Sequence, residues 1–233
     1  MKQISDNVYQ ISLGVVNAFI VDGDGLTLID TGTKNSVDKV FASIRKGGKN
    51  PEDIKRIILT HLHPDHSGSA AEFKKRLNVP VYAHPLDARL LALGKANRAT
   101  EGVQMALSPG ILNWLVYHLF IKRADKMVTP INVDELVNDG DVIPFAGGID
   151  VIYTPGHSAG HIALLVRDEG VLIAGDICAN VSGLGLSIVY EDRKLGVKSI
   201  LRAADFDFDK AVFGHGGPLM SDANKKMREV FKQ

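Results

Sequence analysis

The scarcities of this sequence narrow its chemistry before any motif does. It holds one cysteine, Cys178, in 233 residues, so no internal disulfide forms and the fold does not depend on oxidation. It has no excess of charge, because 27 Lys and Arg balance 27 Asp and Glu. A chain without a net field has no overall means of gathering a polyanion, and nucleic acid is not expected as a partner. Long apolar runs are scarce too. The longest, 111–121, is broken by Asn113 and His118 and falls well short of the roughly 20 residues that cross a bilayer. The opening stretch, Met1 to Ser12, is polar and lacks the apolar centre of a secretory signal. The expectation is a cytoplasmic protein with no membrane span. Repeats, low-complexity tracts and Pro- or Ser-rich linkers are also missing, so a single domain over residues 1–233 is expected.

Apolar residues supply 45% of the chain, enough for a sizeable core. Short apolar or alternating runs at 8–13, 17–22 and 26–29 read as strands, the last two joined by the hairpin signal Gly23-Asp24-Gly25. In 36–46, Val37, Val40, Phe41 and Ile44 follow helical spacing. A strand at 55–59, a helix at 69–77 and a strand at 81–83 come next. The character then changes to a helical insertion, 85–129, with helices expected at 86–93 and 111–123 around the Ser108-Pro109-Gly110 join. Strands return at 142–144, 149–153, 162–167, 171–174 and 211–213, with helices at 194–204 and 221–231. Runs such as Ile57-Ile58-Leu59 and Val171-Leu172-Ile173 lack polar alternation. Both their faces need cover, which implies sheets held between helices.

The chemistry concentrates in Thr60-His61-Leu62-His63-Pro64-Asp65-His66-Ser67-Gly68, where an apolar strand ends. Two histidines two apart on extended backbone point to one side, and Pro64 then turns the chain so that Asp65 and His66 face the same place. Four ligands suited to a borderline-soft divalent cation thus lie within six residues. Three further residues, His157, Asp176 and His215, each stand where an expected strand meets a loop, with small neighbours that let the backbone approach a crowded centre. Asp30, at the end of another strand, is expected to form a turn and to support the ligands rather than bind metal. His84 and His161 are read as supporting or packing residues, and Cys178 as a small buried one. Tyr190, Glu191 and Asp192 are expected to lead into the following helix.

His61-x-His63-x-Asp65-His66, followed in order by His157, Asp176 and His215, resembles the metallo-β-lactamase superfamily over nearly the whole chain. The resemblance implies an α/β (α+β) fold, a four-layer αββα sandwich with the metal centre at one edge of its two sheets. It further implies that His61, His63 and His157 hold one metal ion and Asp65, His66 and His215 a second, with Asp176 bridging them. Two ions roughly 3.5–4 Å apart can share a hydroxide and stabilise an oxyanion. Asp65 is expected to be catalytic as well as a ligand, orienting that hydroxide and later protonating the leaving group. All-N/O ligation suits zinc, with iron or manganese as alternatives.

The same resemblance narrows the reaction. Enzymes of the family that open β-lactams generally lack a bridging aspartate, which Asp176 supplies. Glyoxalase II-like thioesterases carry a long helical C-terminal region, whereas 18 residues follow His215. Quorum-quenching lactonases usually place a tyrosine three residues after the bridge, and Ala179 stands there. The basic arm of the tRNA-processing nucleases is missing. The insertion offers Ile111, Leu112, Trp114, Leu115 and Leu119 as an apolar wall over the site or as a homodimer contact. The expected activity is hydrolysis of an ester-type bond in a small molecule: a lactone, thioester or carboxyl ester. An iron-dependent sulfur oxidoreductase and a phosphodiesterase are the alternatives.

Overall fold

The computed structural model describes residues 1–98, 101–119, 121–123 and 127–232. Its first sheet follows the chain in order: β1 (Lys2–Gln3), β2 (Val8–Ser12), β3 (Asn17–Gly23), β4 (Gly25–Ile29), β5 (Ile54–Ile58), β6 (Val81–Ala83) and β7 (Glu135–Leu136). The first four strands are antiparallel, and β4 to β7 run parallel to one another. Gly23 pairs with Gly25 across Asp24, so the expected hairpin forms. The second sheet comprises β8 (Val142–Ile143), β9 (Ile149–Tyr153), β10 (Ile162–Val166), β11 (Val171–Ile173) and β12 (Lys210–Val212), in the order β12-β11-β10-β9-β8. Only β11 and β12 are parallel within it.

Alternation along the strands assigns the layers, because successive side chains leave opposite faces. In β3, Phe19 and Val21 face the second sheet, where they meet Ile162, Leu164 and Val166 of β10 and Ile173 of β11. Ala18 and Ile20 of β3 face outward, onto α1 (Val37–Lys46), α3 (Ala70–Leu77) and α4 (Pro85–Ala92). The second sheet repeats the arrangement: Ala163 and Leu165 turn away from the first sheet and pack on α6 (Arg193–Ala204) and α7 (Ala223–Phe231). The result is the expected αββα order. Each fully buried Leu, Ile or Phe contributes about 1.5–3 kcal/mol through removal from water, so the three apolar layers between and outside the sheets are the main adhesive.

The helices form where the pattern requires them. In α1, Val37, Val40, Phe41 and Ile44 are buried, Asp38 sits in the first turn, and Arg45 and Lys46 in the last, which complements the helix dipole. Phe41 meets Phe73 of α3 edge-on at 5.7 Å. Residues 64–67, expected as a turn at Pro64, form a helical turn, α2 (Pro64–Ser67). Proline favours that geometry because it needs no N–H donor at the first helical position. The two-residue strand β7 was not expected from sequence, since two residues carry no periodicity. It is held in place partly by Asp134, whose carboxylate accepts the N–H of Val81 at 2.8 Å.

In the insertion, α5 (Ile111–Leu119) is shorter than the expected helix, and a 3-10 turn covers Ile121–Arg123. Residue 120 and residues 124–126 lie outside the described residues. A short ribbon, Ala106–Leu107 against Val189–Tyr190, joins the segment before α5 to the region beside the candidate site. Among the described residues, no helix is long and apolar enough to cross a membrane.

Candidate metal centre

The structure brings together the four early candidates, His61, His63, Asp65 and His66, and the three distant strand-end residues. They form three overlapping groups: His61, His63 and His157; His61, His66 and Asp176; and Asp65, His66 and His215. Within each group the donor atoms lie within 4.8 Å of one another. The cluster occupies the edge of the sandwich where β5, β9, β11 and β12 end. One ligand-bearing loop leaves each of these strands. Gly214 makes room for the centre: a Cβ there would stand 2.0 Å from Asp176 Oδ1, so a larger residue would displace the carboxylate.

Hydrogen bonds on the outer side of four of the five imidazoles decide which nitrogen faces inward. Thr60 Oγ1 donates to Asp30 Oδ2 at 2.8 Å, so it accepts from His61 Nδ1 at 3.0 Å and leaves a lone pair on His61 Nε2. His157 Nδ1 donates to the Val189 carbonyl at 2.8 Å, His66 Nδ1 to Asp30 Oδ2 at 2.8 Å, and His215 Nδ1 to the Val15 carbonyl at 2.6 Å. Four Nε2 atoms therefore face into the cluster, the orientation that metal-binding histidines require.

The inward atoms of the three-histidine group cannot all satisfy one another. His63 Nδ1 lies 3.1 Å from His61 Nε2 and 2.9 Å from His157 Nε2. A proton on His63 serves one of these contacts and leaves lone pair facing lone pair in the other. Zinc–nitrogen bonds of about 2.0–2.1 Å would place tetrahedral donors roughly 3.3 Å apart, close to this spacing. His66 Nε2 and Asp176 Oδ1 are buried without any hydrogen-bond partner among the described residues, a costly state unless a cation serves them. Asp176 Oδ1 is 3.5 Å from His66 Nε2, and its Oδ2 is 3.1 Å from His215 Nε2 and 3.6 Å from His157 Nε2. Asp65 Oδ2 lies 3.3 Å from His215 Nε2. The donor set and its unsatisfied atoms fit divalent metal ions.

Electrostatics separates the cluster into two halves. Burial, reinforced by neighbouring imidazoles, pushes His61 well below its ordinary value, and burial also lowers His157. Burial and His157 bring His63 down to about 3. These three rings are neutral at neutral pH and available as ligands. On the other side, burial works against charge but loses to the carboxylates. His66 is raised well above its ordinary value by Asp176, Asp65 and Asp30, and His215 is pushed up to about 12 by Asp176 and Asp65. The two carboxylates are correspondingly held below the usual range by His66 and His215, despite burial.

The supporting residues are mostly those expected. Asp30, with a left-handed φ of 58°, accepts the Thr60 N–H at 2.8 Å on one oxygen and binds Thr60 Oγ1 and His66 on the other. It thus orients His66 directly and His61 through Thr60. His161 Nε2 accepts the backbone N–H of Asp176 at 2.9 Å, and Cys178 is fully buried. Tyr190 is buried beside His157, with ring centroids 5.7 Å apart. Asp192 caps α6 by accepting from Leu195 N. The carbonyls of Val15 and Val189 escape sequence reasoning, because a backbone acceptor has no residue signature. Replacing Asp30 with alanine is expected to lower metal affinity about 10- to 100-fold, measured by competition with a chelator. Unchanged affinity would remove its role as the orienting carboxylate.

The family model described as Metallo-beta-lactamase superfamily matches residues 11–215. The chain is 27% identical to "Probable metallo-hydrolase YflN" of Bacillus subtilis (strain 168), over 93% of this chain and 86% of that protein. It is 26% identical to an N-acyl homoserine lactonase of Bacillus cereus, over 57% of this chain and 40% of the lactonase. A metallo-beta-lactamase family protein of Thermus thermophilus, TTHA1429, superposes with a TM-score of 0.69 at 25% identity, covering 96% of this chain and 77% of the other.

Proposed function

This chain belongs to the metallo-beta-lactamase superfamily, and from that premise we propose that it is a dinuclear hydrolase, with zinc the best-suited ion, that cleaves an ester-type bond in a lactone, thioester or carboxyl ester. The observation that carries the proposal is the convergence of five imidazoles and two carboxylates on one cluster, with His66 Nε2 and Asp176 Oδ1 left without a hydrogen bond. His61, His63 and His157 would hold one ion, Asp65, His66 and His215 the other, and Asp176 would serve both. Bound divalent ions would supply a water with a pKa lowered from 15.7 to roughly 7 and a Lewis acid for the scissile carbonyl.

The chain's own groups do the rest. The outer hydrogen bonds of His61, His66, His157 and His215 keep their Nε2 atoms aimed inward, so no ring need turn during the reaction. Asp65 is ionised, and its side chain is about a third exposed, at 32%. That makes it the cluster carboxylate open to a substrate. Asp65 is assigned to orient the attacking hydroxide and then to pass its proton to the leaving alkoxide or thiolate as the carbonyl–heteroatom bond breaks.

The surroundings favour an apolar acyl group. Val15, whose carbonyl holds His215, is 80% exposed, and Val181, beside the Asn180 N–H that donates to the His215 carbonyl, is 72% exposed. The ribbon at 106–107 and 189–190 links the Val189 carbonyl behind His157 to α5, where Ile111, Leu112, Trp114, Leu115 and Leu119 are all exposed. We assign these side chains to the wall of an acyl pocket, since apolar surface of this kind favours ligand contact over solvent. The similarity to a lactonase supports the same substrate class.

The test is a panel of lactones, thioesters, carboxyl esters, phosphodiesters, β-lactams and persulfides, offered to zinc-, manganese- and iron-loaded protein. Turnover of the first three classes is the expected result. Turnover confined to phosphodiesters, or oxygen consumption with persulfides, would overturn the ester assignment.

A further inference from the structure

Asp87 is a buried carboxylate for which the chemistry above has no use. It lies in the first turn of α4 and is 1% exposed. Its side chain reaches across the molecule. Oδ2 accepts the backbone N–H of Leu62 at 2.9 Å and faces the Ser158 hydroxyl at 3.5 Å. Leu62 stands between His61 and His63, and Ser158 follows His157. One carboxylate oxygen therefore touches both loops that carry the three-histidine group.

The surrounding packing is built around this reach. Asp87 Oδ1 lies so near Gly160 that a Cβ there would stand 2.2 Å from it. The Leu62 peptide is gripped from its other side as well, because Ser67 Oγ donates to the Leu62 carbonyl at 2.7 Å. Just before α4, His84 stacks on Tyr153 with ring centroids 4.5 Å apart and planes 6° from parallel. The Tyr153 hydroxyl in turn donates to the Ala159 carbonyl at 2.8 Å. The start of α4 thus braces the 157–161 loop at two points.

The buried Leu62 N–H needs an acceptor here, and meeting that need with a carboxylate is costly, because a buried carboxylate is expensive to desolvate. Burial, with Glu191 nearby, pushes Asp87 up to about 7, which registers that cost. We infer that Asp87 is a positioning residue for the metal centre: it holds the 61–63 and 157–161 loops at the separation where the imidazoles of His61, His63 and His157 converge. The inference rests on the metal-centre reading above.

The experiment compares the full-length wild-type chain with Asp87→Ala, Asp87→Asn and Gly160→Ala. The readouts are zinc affinity by competition with a chromophoric chelator, the visible spectrum of the cobalt(II)-substituted protein, and exchange of the Leu62 amide in metal-free protein. Asp87→Ala is expected to weaken zinc binding about 10- to 100-fold, the range for partners that orient ligands, and to alter the cobalt spectrum. Asp87→Asn keeps an acceptor oxygen for Leu62 and should recover most of the affinity. Gly160→Ala pushes the carboxylate aside without removing it and should reproduce the loss. In the wild type, the Leu62 amide should exchange as slowly as amides of the central strands.

Wild-type affinity and an unchanged cobalt spectrum in both alanine variants would overturn the inference alone. If Asp87→Ala does not fold, Gly160→Ala decides in the same way, and a fast-exchanging Leu62 amide in the wild type overturns the inference without any variant. A wild-type chain that binds no zinc, manganese or iron removes the metal-centre reading, and this inference with it.

Discussion

Replacing Asp176 with alanine is expected to lower kcat/KM by about 10³-fold, with loss of bound metal from the purified protein. Asp176 is 4% exposed, and its two oxygens lie 3.1–3.6 Å from nitrogens of His66, His157 and His215. It therefore reaches both proposed ligand groups. Breaking a buried charge pair by deleting one partner costs about 3–5 kcal/mol of folding stability, and removing the group that reaches both ligand sets takes away the metal chemistry on which turnover would depend. Asp176→Asn separates shape from charge. It fills the space against Gly214 but removes the negative charge, so it should fold and still bind metal poorly. Two equivalents of metal and near-normal turnover in Asp176→Ala would refute the role given to this residue.

Acidification should strip the two proposed ions unequally. In the metal-free protein His66 is raised well above its ordinary value and His215 is pushed up to about 12, because buried Asp176 and Asp65 demand positive charge beside them. Both imidazoles then carry a proton at neutral pH where a ligand needs a lone pair. An ion entering the Asp65–His66–His215 group must displace up to two protons. Proton and metal compete, and a raised pKa means that the protonated form persists throughout the neutral range. Affinity therefore rises with pH, by about 10-fold per unit for each proton displaced, or up to about 100-fold per unit for two. The His61–His63–His157 group behaves differently, since burial keeps its rings neutral and no proton need leave. Metal content against pH, with calorimetry in buffers of different ionisation enthalpy, checks both statements. Simultaneous loss of both ions, with no proton release, would contradict them.

The central motif was legible because its parts are local. His61, His63, Asp65 and His66 lie within six residues, and their convergence needs one strand end and one proline turn. The layers were legible for a similar reason: unalternating runs such as Ile57-Ile58-Leu59 announce burial on both faces, and in the structure all three are buried. The αββα order follows from that patterning together with the family resemblance. Short or irregular pieces were not legible. The two residues of β7 have no periodicity to read, and within the helix expected over 111–123 the residues Ile121–Arg123 form a 3-10 turn.

The chain by itself determined which residue types are available to a metal, which strands are covered on both faces, and which family the pattern belongs to. All of these depend on identity and spacing along the backbone. Tertiary structure decided how distant residues meet: the approach of His157 to His63, the acceptance of His215 by the Val15 carbonyl, and the span of Asp87 between two ligand loops. Those distances depend on how two twisted sheets and their helices pack. Packing is a property of the summed burial of many side chains, and no local spacing encodes it.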